Sequence, residues 1–517
     1  MTPRTSPLWT HTAPVAAATP LTEDREVDVA VLGAGITGLT AALRLAEAGR
    51  SVTVLEARTI GSGVTGYTTA HATEAVDARY SRLRARFGED AAHLVARASR
   101  AAIEHIDQRA RSLAIECDLH RVPGFLYTED EGQRDFLLDE HQAARRAGVD
   151  VTLGAATGLP FPVAGAVRYG DQLRFHPLRY VDGLARAFRD RGGVVFEHTR
   201  AAAIEHGDPV TIITDGGRRV WARAVFCATH TPLNRLSLQL SLAHYQSYAA
   251  AYPGLAIPDA LYWDTADPYH YLRAATIDGV PYLIVGGEDH KTGTEEHTEI
   301  AFERLFLYAR QRFGTDRPAF RWSAQVVEPA DGLPYIGRNP GSQNVYVATG
   351  FAGNGMTFGT FGALLVSDLV LGHDNEWRDL FDPRRIKLSS LGRIIREQKD
   401  VPVHLIGDRV APPEARSTDE IEPDQGRLMK VRGERLAVYR DPRGALHVRS
   451  AVCTHMKCIV KFNAAERSWD CGCHGSRFGV DGAVLDGPAM SPLPERHLDD
   501  VSVPAAAPRH GDGVGRA

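Results

Sequence analysis

Two short boxes of metal-ligating side chains stand near the C-terminus, Cys453-Thr-His455-Met-Lys-Cys458 and Cys471-Gly-Cys473-His474-Gly-Ser476. They hold four of the six cysteines in a chain of 517 residues. Thiolates and imidazoles together suit zinc or iron. A Cys2His2 zinc site ordinarily pairs C-x2–4-C with H-x3–5-H. That pairing is absent here. Each box contributes one cysteine and one histidine, as C-x-H and then C-x-x-H, with one further cysteine apiece.

This pattern resembles the ligand set of Rieske [2Fe–2S] proteins, in which two thiolates hold one iron and two imidazoles the other. The resemblance implies Cys453, His455, Cys471 and His474 as ligands, and a disulfide between Cys458 and Cys473 as in the cytochrome bc-type branch. Rieske ring-hydroxylating oxygenases lack that cysteine pair, so the likeness is to electron-transfer members. Imidazole ligation places such centres at roughly −150 to +300 mV, against about −400 mV for all-cysteine plant-type clusters. Ser476 falls where the family donates a hydroxyl hydrogen bond to a cluster sulfur. Phe478 replaces the tyrosine of high-potential members, which implies a lower potential within that window. Lys457 and Gly472 depart from a frequent glycine and a frequent proline, and Gly487-Pro488-Ala489 resembles the loop that shields the cluster's third side.

A centre that takes electrons singly needs a source, and the other end of the chain offers one. Asp28-Val-Ala-Val-Leu32 is an apolar run fit for a buried parallel strand. It leads into Gly33-Ala-Gly35-Ile-Thr-Gly38, a helical pattern, and a second strand ending at Glu56. Within that βαβ setting the glycines permit the tight turn, the approach of a diphosphate and close helix–strand packing. The diphosphate would rest on the helix N-terminus, and Glu56 is placed to bond ribose hydroxyls.

The turn alone does not separate FAD from NAD. Downstream, Asn344-Val-Tyr-Val-Ala-Thr349 runs into Gly350-Phe-Ala-Gly353-Asn-Gly355-Met356-Thr357. With Arg174-Phe-His176-Pro177 and the strand Ala224–Thr229, this resembles the D-amino-acid oxidase-like FAD family over residues 25–375. The resemblance implies FAD. It implies contacts from Gly350, Gly353, Gly355, Met356 and Thr357, and from Ser62, Thr65, Thr68 and Thr69 in the loop after Glu56. Some relatives attach FAD through a histidine in that loop. Tyr67 stands at or near the position, which argues against covalent attachment, and His71 lies four residues on.

These sites need a composite fold. The expected architecture is an α/β FAD-binding domain (Rossmann-like, of the glutathione-reductase and D-amino-acid oxidase type) with a β-rich substrate domain, then an all-β Rieske domain. The expected bounds are an N-terminal arm at 1–24, the flavin domain at 25–385 with its substrate insertion near 238–321, and a helix and linker at 386–425. The Rieske domain follows at 426–505 and a tail at 506–517. A 44% hydrophobic and 24% charged composition suits a globular protein, and the net charge of −5 gives nucleic acid no basic footprint. No apolar run reaches the length of a transmembrane helix, and no secretory leader is evident, so the expected location is cytoplasmic.

The substrate region gathers Tyr245, Tyr248, Tyr262, Trp263, Tyr269, Tyr271, Arg273 and His290. Aromatic walls and one arginine suit an amine or amino-acid pocket, since arginine grips a carboxylate bidentately. Arg273, His290 and His71 are therefore the candidate substrate contacts, while alternating aromatics also serve plain sheet packing. No general base is evident. The whole resembles a bacterial family of FAD-dependent oxidoreductases with a C-terminal Rieske domain. The implied activity is oxidation of a small amine or amino-acid-like substrate, with electrons passed from FAD to the cluster and on to an external one-electron acceptor. The alternatives are reversed flow from a donor through the cluster to the flavin, a redox-sensing electron carrier, and a simple oxidase with a structural Rieske domain.

Overall fold

The computed structural model describes residues 4–13, 15–233, 236–385 and 411–498. The helix expected over 386–398, most of the 386–425 linker and the 506–517 tail lie outside the described residues.

The strand Arg25–Leu32 forms the centre of an eight-stranded sheet, parallel to Val52–Leu55 on one side and to Arg219–Cys227 on the other. Its last four residues are all buried, as a strand covered by helices on both faces must be. The helix Ile36–Glu47 packs on this sheet and against the helix Gly355–Leu371, burying Leu39, Leu43 and Leu45 completely. Each such leucine contributes roughly 1.5–3 kcal/mol by leaving water. Chain connections leave Arg25–Leu32 in opposite directions, which opens a crevice at the strand's C-terminal end.

A ten-stranded sheet lies beside that crevice. It is wider than the 238–321 segment, because His120–Thr128, Gly165–Arg174 and Phe320–Pro329 belong to it as well. The N-terminal arm is also built in. Arg4–Thr5 pairs with Phe320 and Arg321, and Trp9, fully buried, donates its indole N–H to Thr68 O at 2.6 Å. The arm thereby fixes the loop that follows Glu56.

The C-terminal unit is all β. A three-stranded sheet (Gln425–Val431, Glu434–Arg440, Leu446–Ser450) adjoins a four-stranded one (Lys461–Asn463, Ser468–Asp470, Arg477–Gly479, Val484–Asp486). The two cysteine/histidine boxes are the loops before Lys461–Asn463 and before Arg477–Gly479. Arg477 is buried here among Asp470, Asp486 and Glu466, and their charges hold it protonated against the cost of burial. Among the described residues, no helix is long and apolar enough to cross a membrane.

Candidate flavin and cluster sites

The crevice is a cavity of about 260 Å³. Of the residues expected at the cofactor, Gly33, Gly35, Glu56, Thr65, Thr68, Thr69, Gly353, Gly355 and Met356 line it. Gly38 lies beneath the turn, where a Cβ would stand 1.9 Å from Gly33 O. Glu56 accepts from the backbone N–H groups of Ala34 and Arg58, both at 2.8 Å, which fixes its carboxylate plane and leaves lone pairs free. Thr65 Oγ1 caps the first N–H of the helix, at Ile36, from 3.2 Å. Three expected contacts point elsewhere. Ser62 donates to Thr59 O, Thr357 is tied to both backbone groups of Thr73, and Gly350 packs on Pro329.

Arg58 and Arg200 also line the nucleotide end, near Glu56, and were not foreseen. The opposite end is lined by Asp77, Ser247, Trp263, Tyr269 and Tyr271. One step behind that wall, Asp289 accepts from Ser247 Oγ at 2.5 Å, and burial lifts its carboxyl to about 7. Tyr271 Oη stands 3.0 Å from the same serine hydroxyl.

Two expected substrate contacts are absent from the wall. Arg273 is fully buried and its guanidinium is consumed by the carbonyls of Thr69, Ala70 and Phe175, so it braces the flavin loop and cannot grip a carboxylate. His290 bonds Tyr248 Oη and Lys291 O on the far side of its strand. His71 does line the cavity. Its ring nitrogens meet Thr69 Oγ1 at 3.0 Å and Leu272 O at 3.3 Å, and burial with Arg273 nearby pulls it down to about 3, so it stays neutral.

The second centre is just as closely built. The disulfide Cys458–Cys473 ties the two boxes together. Cys453 and Cys471 bring their thiols into contact, and each sulfur receives backbone N–H groups: those of His455 and Met456 for Cys453, those of Cys473 and His474 for Cys471. Contact with Cys471 draws the Cys453 thiol down, while contact with Cys453 and burial push the Cys471 thiol up. The His455 and His474 rings stand 5.1 Å apart at 87°. Both ring nitrogens of His474 are buried without a hydrogen-bond partner among the described residues. Two sulfurs in contact beside a buried imidazole whose ring nitrogens are unused form a donor set that fits a two-iron cluster. Ser476 Oγ bonds the Cys453 sulfur and accepts from Ala489 N at 3.0 Å, while Phe478 is wholly buried among the loop residues. Lys457 adopts φ +63, the left-handed conformation that explains a frequent glycine there.

The two sites adjoin. Gly487 and Ala489, from the loop expected to shield the cluster, line the flavin cavity together with their chain neighbours Leu485, Asp486 and Met490. Gln325, also in that lining, donates to Gly475 O at 2.7 Å, next to His474. Neither link has a sequence signal of its own, since glutamine and a loop methionine fit almost any surface.

Comparison with known proteins agrees with this arrangement. The profile of the FAD dependent oxidoreductase family matches residues 28–369, and that of the Rieske [2Fe-2S] domain matches residues 412–497. The putative Rieske 2Fe-2S iron-sulfur protein YhfW of Bacillus subtilis is 32% identical across 95% of this chain and 97% of its own. Gamma-glutamylputrescine oxidoreductase of Escherichia coli is 26% identical over 70% of this chain and 87% of its own. Glycine oxidase from Geobacillus kaustophilus superposes with a TM-score of 0.58 at 20% identity, covering 70% of this chain and all of its own. The cavity, the paired boxes and these matches agree on one assignment: the chain belongs to the FAD-dependent oxidoreductase family and carries a C-terminal Rieske [2Fe–2S] domain.

Proposed function

We propose that this chain is a dehydrogenase for a small amine, with electrons leaving the flavin site through the Rieske centre to an external one-electron acceptor. The observation that carries this reading is the shared wall, a single cavity lined by the dinucleotide turn and by the cluster-shielding loop. Bound FAD would supply two-electron acceptance with one-electron release, and the cluster one-electron carriage. Cys453 and Cys471 would hold one iron, and His455 and His474 the other. Gly33, Gly35, Glu56 and Thr65 would hold the nucleotide part of FAD, with Thr68, Thr69, Gly353, Gly355 and Met356 further along.

The substrate wall favours a cation. Asp77 and the aromatic rings suit an ammonium group, and rings that flank a cation add attraction of about 0.5–2 kcal/mol. Arg58 and Arg200 stand at the nucleotide end, and Arg273 is engaged, so among the described residues no guanidinium at this wall is free for a substrate carboxylate. Hydride departs only from a neutral amine. Asp289, behind Ser247, is placed to take the ammonium proton through that hydroxyl. Two relatives bear on the bond attacked: one is named for gamma-glutamylputrescine and another for glycine.

The test is anaerobic mixing of oxidised holoprotein with a panel of amines and amino acids, followed by cluster EPR. Flavin bleaching together with a reduced Rieske signal is expected for amines. Bleaching while the cluster stays oxidised would sink the relay, and reduction by amino acids alone would sink the amine assignment.

A further inference from the structure

The two units meet along a seam of buried contacts. Beside the first box, Gln239 is 3% exposed and donates its amide N–H to Pro232 O at 2.8 Å. Proline's carbonyl can only accept, so the Gln239 nitrogen must face it and Oε1 must face His455 Nε2, 2.9 Å away. His455 Nε2 therefore carries a hydrogen and donates it, which leaves Nδ1 as the nitrogen free for iron.

Beside the second box, Gln325 donates to Gly475 O, and a Cβ on Gly475 would stand 2.4 Å from the Cβ of His244. Only glycine permits that approach. Gln325 lines the cavity, and its Oε1 is buried with no hydrogen-bond partner among the described residues. Farther out, Ala465 sits 2% exposed in the apolar core of the ten-stranded sheet and donates its N–H to Thr298 Oγ1 at 3.2 Å. Arg200 completes the seam through Val484 O at 2.9 Å. Undocking would exchange each of these hydrogen bonds for water and expose Ala465 together with the apolar surface it covers.

We propose that the Rieske domain exchanges electrons from a fixed dock, with Gln239 and Gln325 as the positioning residues that hold its two ligand loops against the flavin cavity. The proposal rests on the relay reading for its direction of flow. Each transfer removes one electron from the reduced flavin and adds one to the cluster. An external one-electron acceptor empties the cluster between the two transfers that reoxidise one flavin. Gln239 acts through His455: its carbonyl draws on the Nε2 hydrogen, makes the imidazole a stronger donor and favours the oxidised cluster.

The experiment is flash photoreduction of the flavin in the holoprotein, with cluster reduction followed optically and by EPR, in buffer and in glycerol at several-fold higher viscosity. A fixed dock gives the same rate in both. A rate that falls in proportion to viscosity overturns it. Potentiometry of Gln239→Leu and Gln239→Glu separates docking from mere folding. The first variant should raise the cluster potential and the second lower it, and shifts of one sign, or none, overturn the role of Gln239. Gln325→Ala should slow the transfer several-fold with the potential unchanged, and an unaltered rate removes Gln325 from the link. If reduced flavin never reduces the cluster, the relay reading fails, and the paired Gln239 potentials alone decide the dock.

Discussion

The two ends of the flavin cavity make opposite use of the backbone. At the nucleotide end, a glycine turn presents main-chain N–H groups and a helix N-terminus, joined by Arg58 and Arg200. At the substrate end, side chains form the wall: Asp77, Ser247 and three aromatic rings, with Asp289 behind them. One end suits a diphosphate and the other an ammonium group. The contrast also sets tolerance to change. Main-chain donors leave no room for added atoms, whereas side-chain donors can be exchanged without moving the strands that carry them.

The sharpest way to break the contrast is at Gly38. An added Cβ would meet Gly33 O at 1.9 Å, and that atom is backbone with the sheet behind it. Gly38→Ala should push the turn into the space the diphosphate needs, so the variant is expected to purify without flavin. Absorbance at the flavin band against protein measures this directly, while the Rieske EPR signal reports whether the C-terminal domain has survived. Flavin retained at full occupancy would show that the turn yields more readily than the packing implies.

Asp289 offers a milder break at the opposite end. Its carboxyl lies near 7, so the ionised form that accepts a proton builds up as pH rises through neutrality. The wild-type kcat/KM for an amine should therefore rise with pH through about 7. Asp289→Asn should lower it by roughly 10²–10⁴-fold, the usual worth of a general base, and flatten that limb. Flavin content should stay normal, because Asp289 is remote from the glycine turn. A variant that keeps both the rate and the pH limb would place the proton acceptor elsewhere.

How far each end could be read beforehand follows the same division. The glycine turn and the cysteine/histidine boxes announce themselves because their chemistry demands fixed residue types at fixed short spacings. Neighbours along the chain are neighbours in the site. Asp289, Asp77, Gln239 and Gln325 are ordinary residue types, and they meet their partners only through strand register and domain packing. Arg273 misled for a related reason. A lone guanidinium among aromatics reads as a carboxylate grip, and nothing in the local sequence shows that the carbonyls of Thr69, Ala70 and Phe175 converge on it. His290 sits next to Asp289, and strand alternation turns it away from the cavity.

That alternation is itself irregular, and the irregularity leads to the smallest of the expected effects. The pairing of Leu242–Pro253 with Val280–Lys291 shifts register between Gln246 and Tyr248, opposite Gly287 at φ +138 and Glu288 at φ +57. The bulge turns Glu288 into the sheet, where it meets His270 Nε2 at 3.2 Å, and frees Asp289 for Ser247. His270 Nδ1 meets Asp264 at 3.0 Å, and the ring stacks on Tyr308 with centroids 4.0 Å apart. Burial disfavours the imidazolium, but the two carboxylates outweigh it and raise His270 to about 9. The charged form is thus favoured in the folded chain. Its contribution is complete below an unfolded value near 6.5 and fades as pH climbs through 9, a loss of at most roughly 3 kcal/mol. Thermal unfolding should therefore show a Tm that falls between pH 7 and 10, and His270→Gln should lower the Tm at pH 7 while flattening that slope. Since Asp289 shares the bulge, the same variant should also weaken amine turnover modestly while leaving flavin content intact. A His270→Gln chain that instead lost flavin would mean that the substrate end of the cavity supports the nucleotide end, and that the two are less independent than their opposite construction implies.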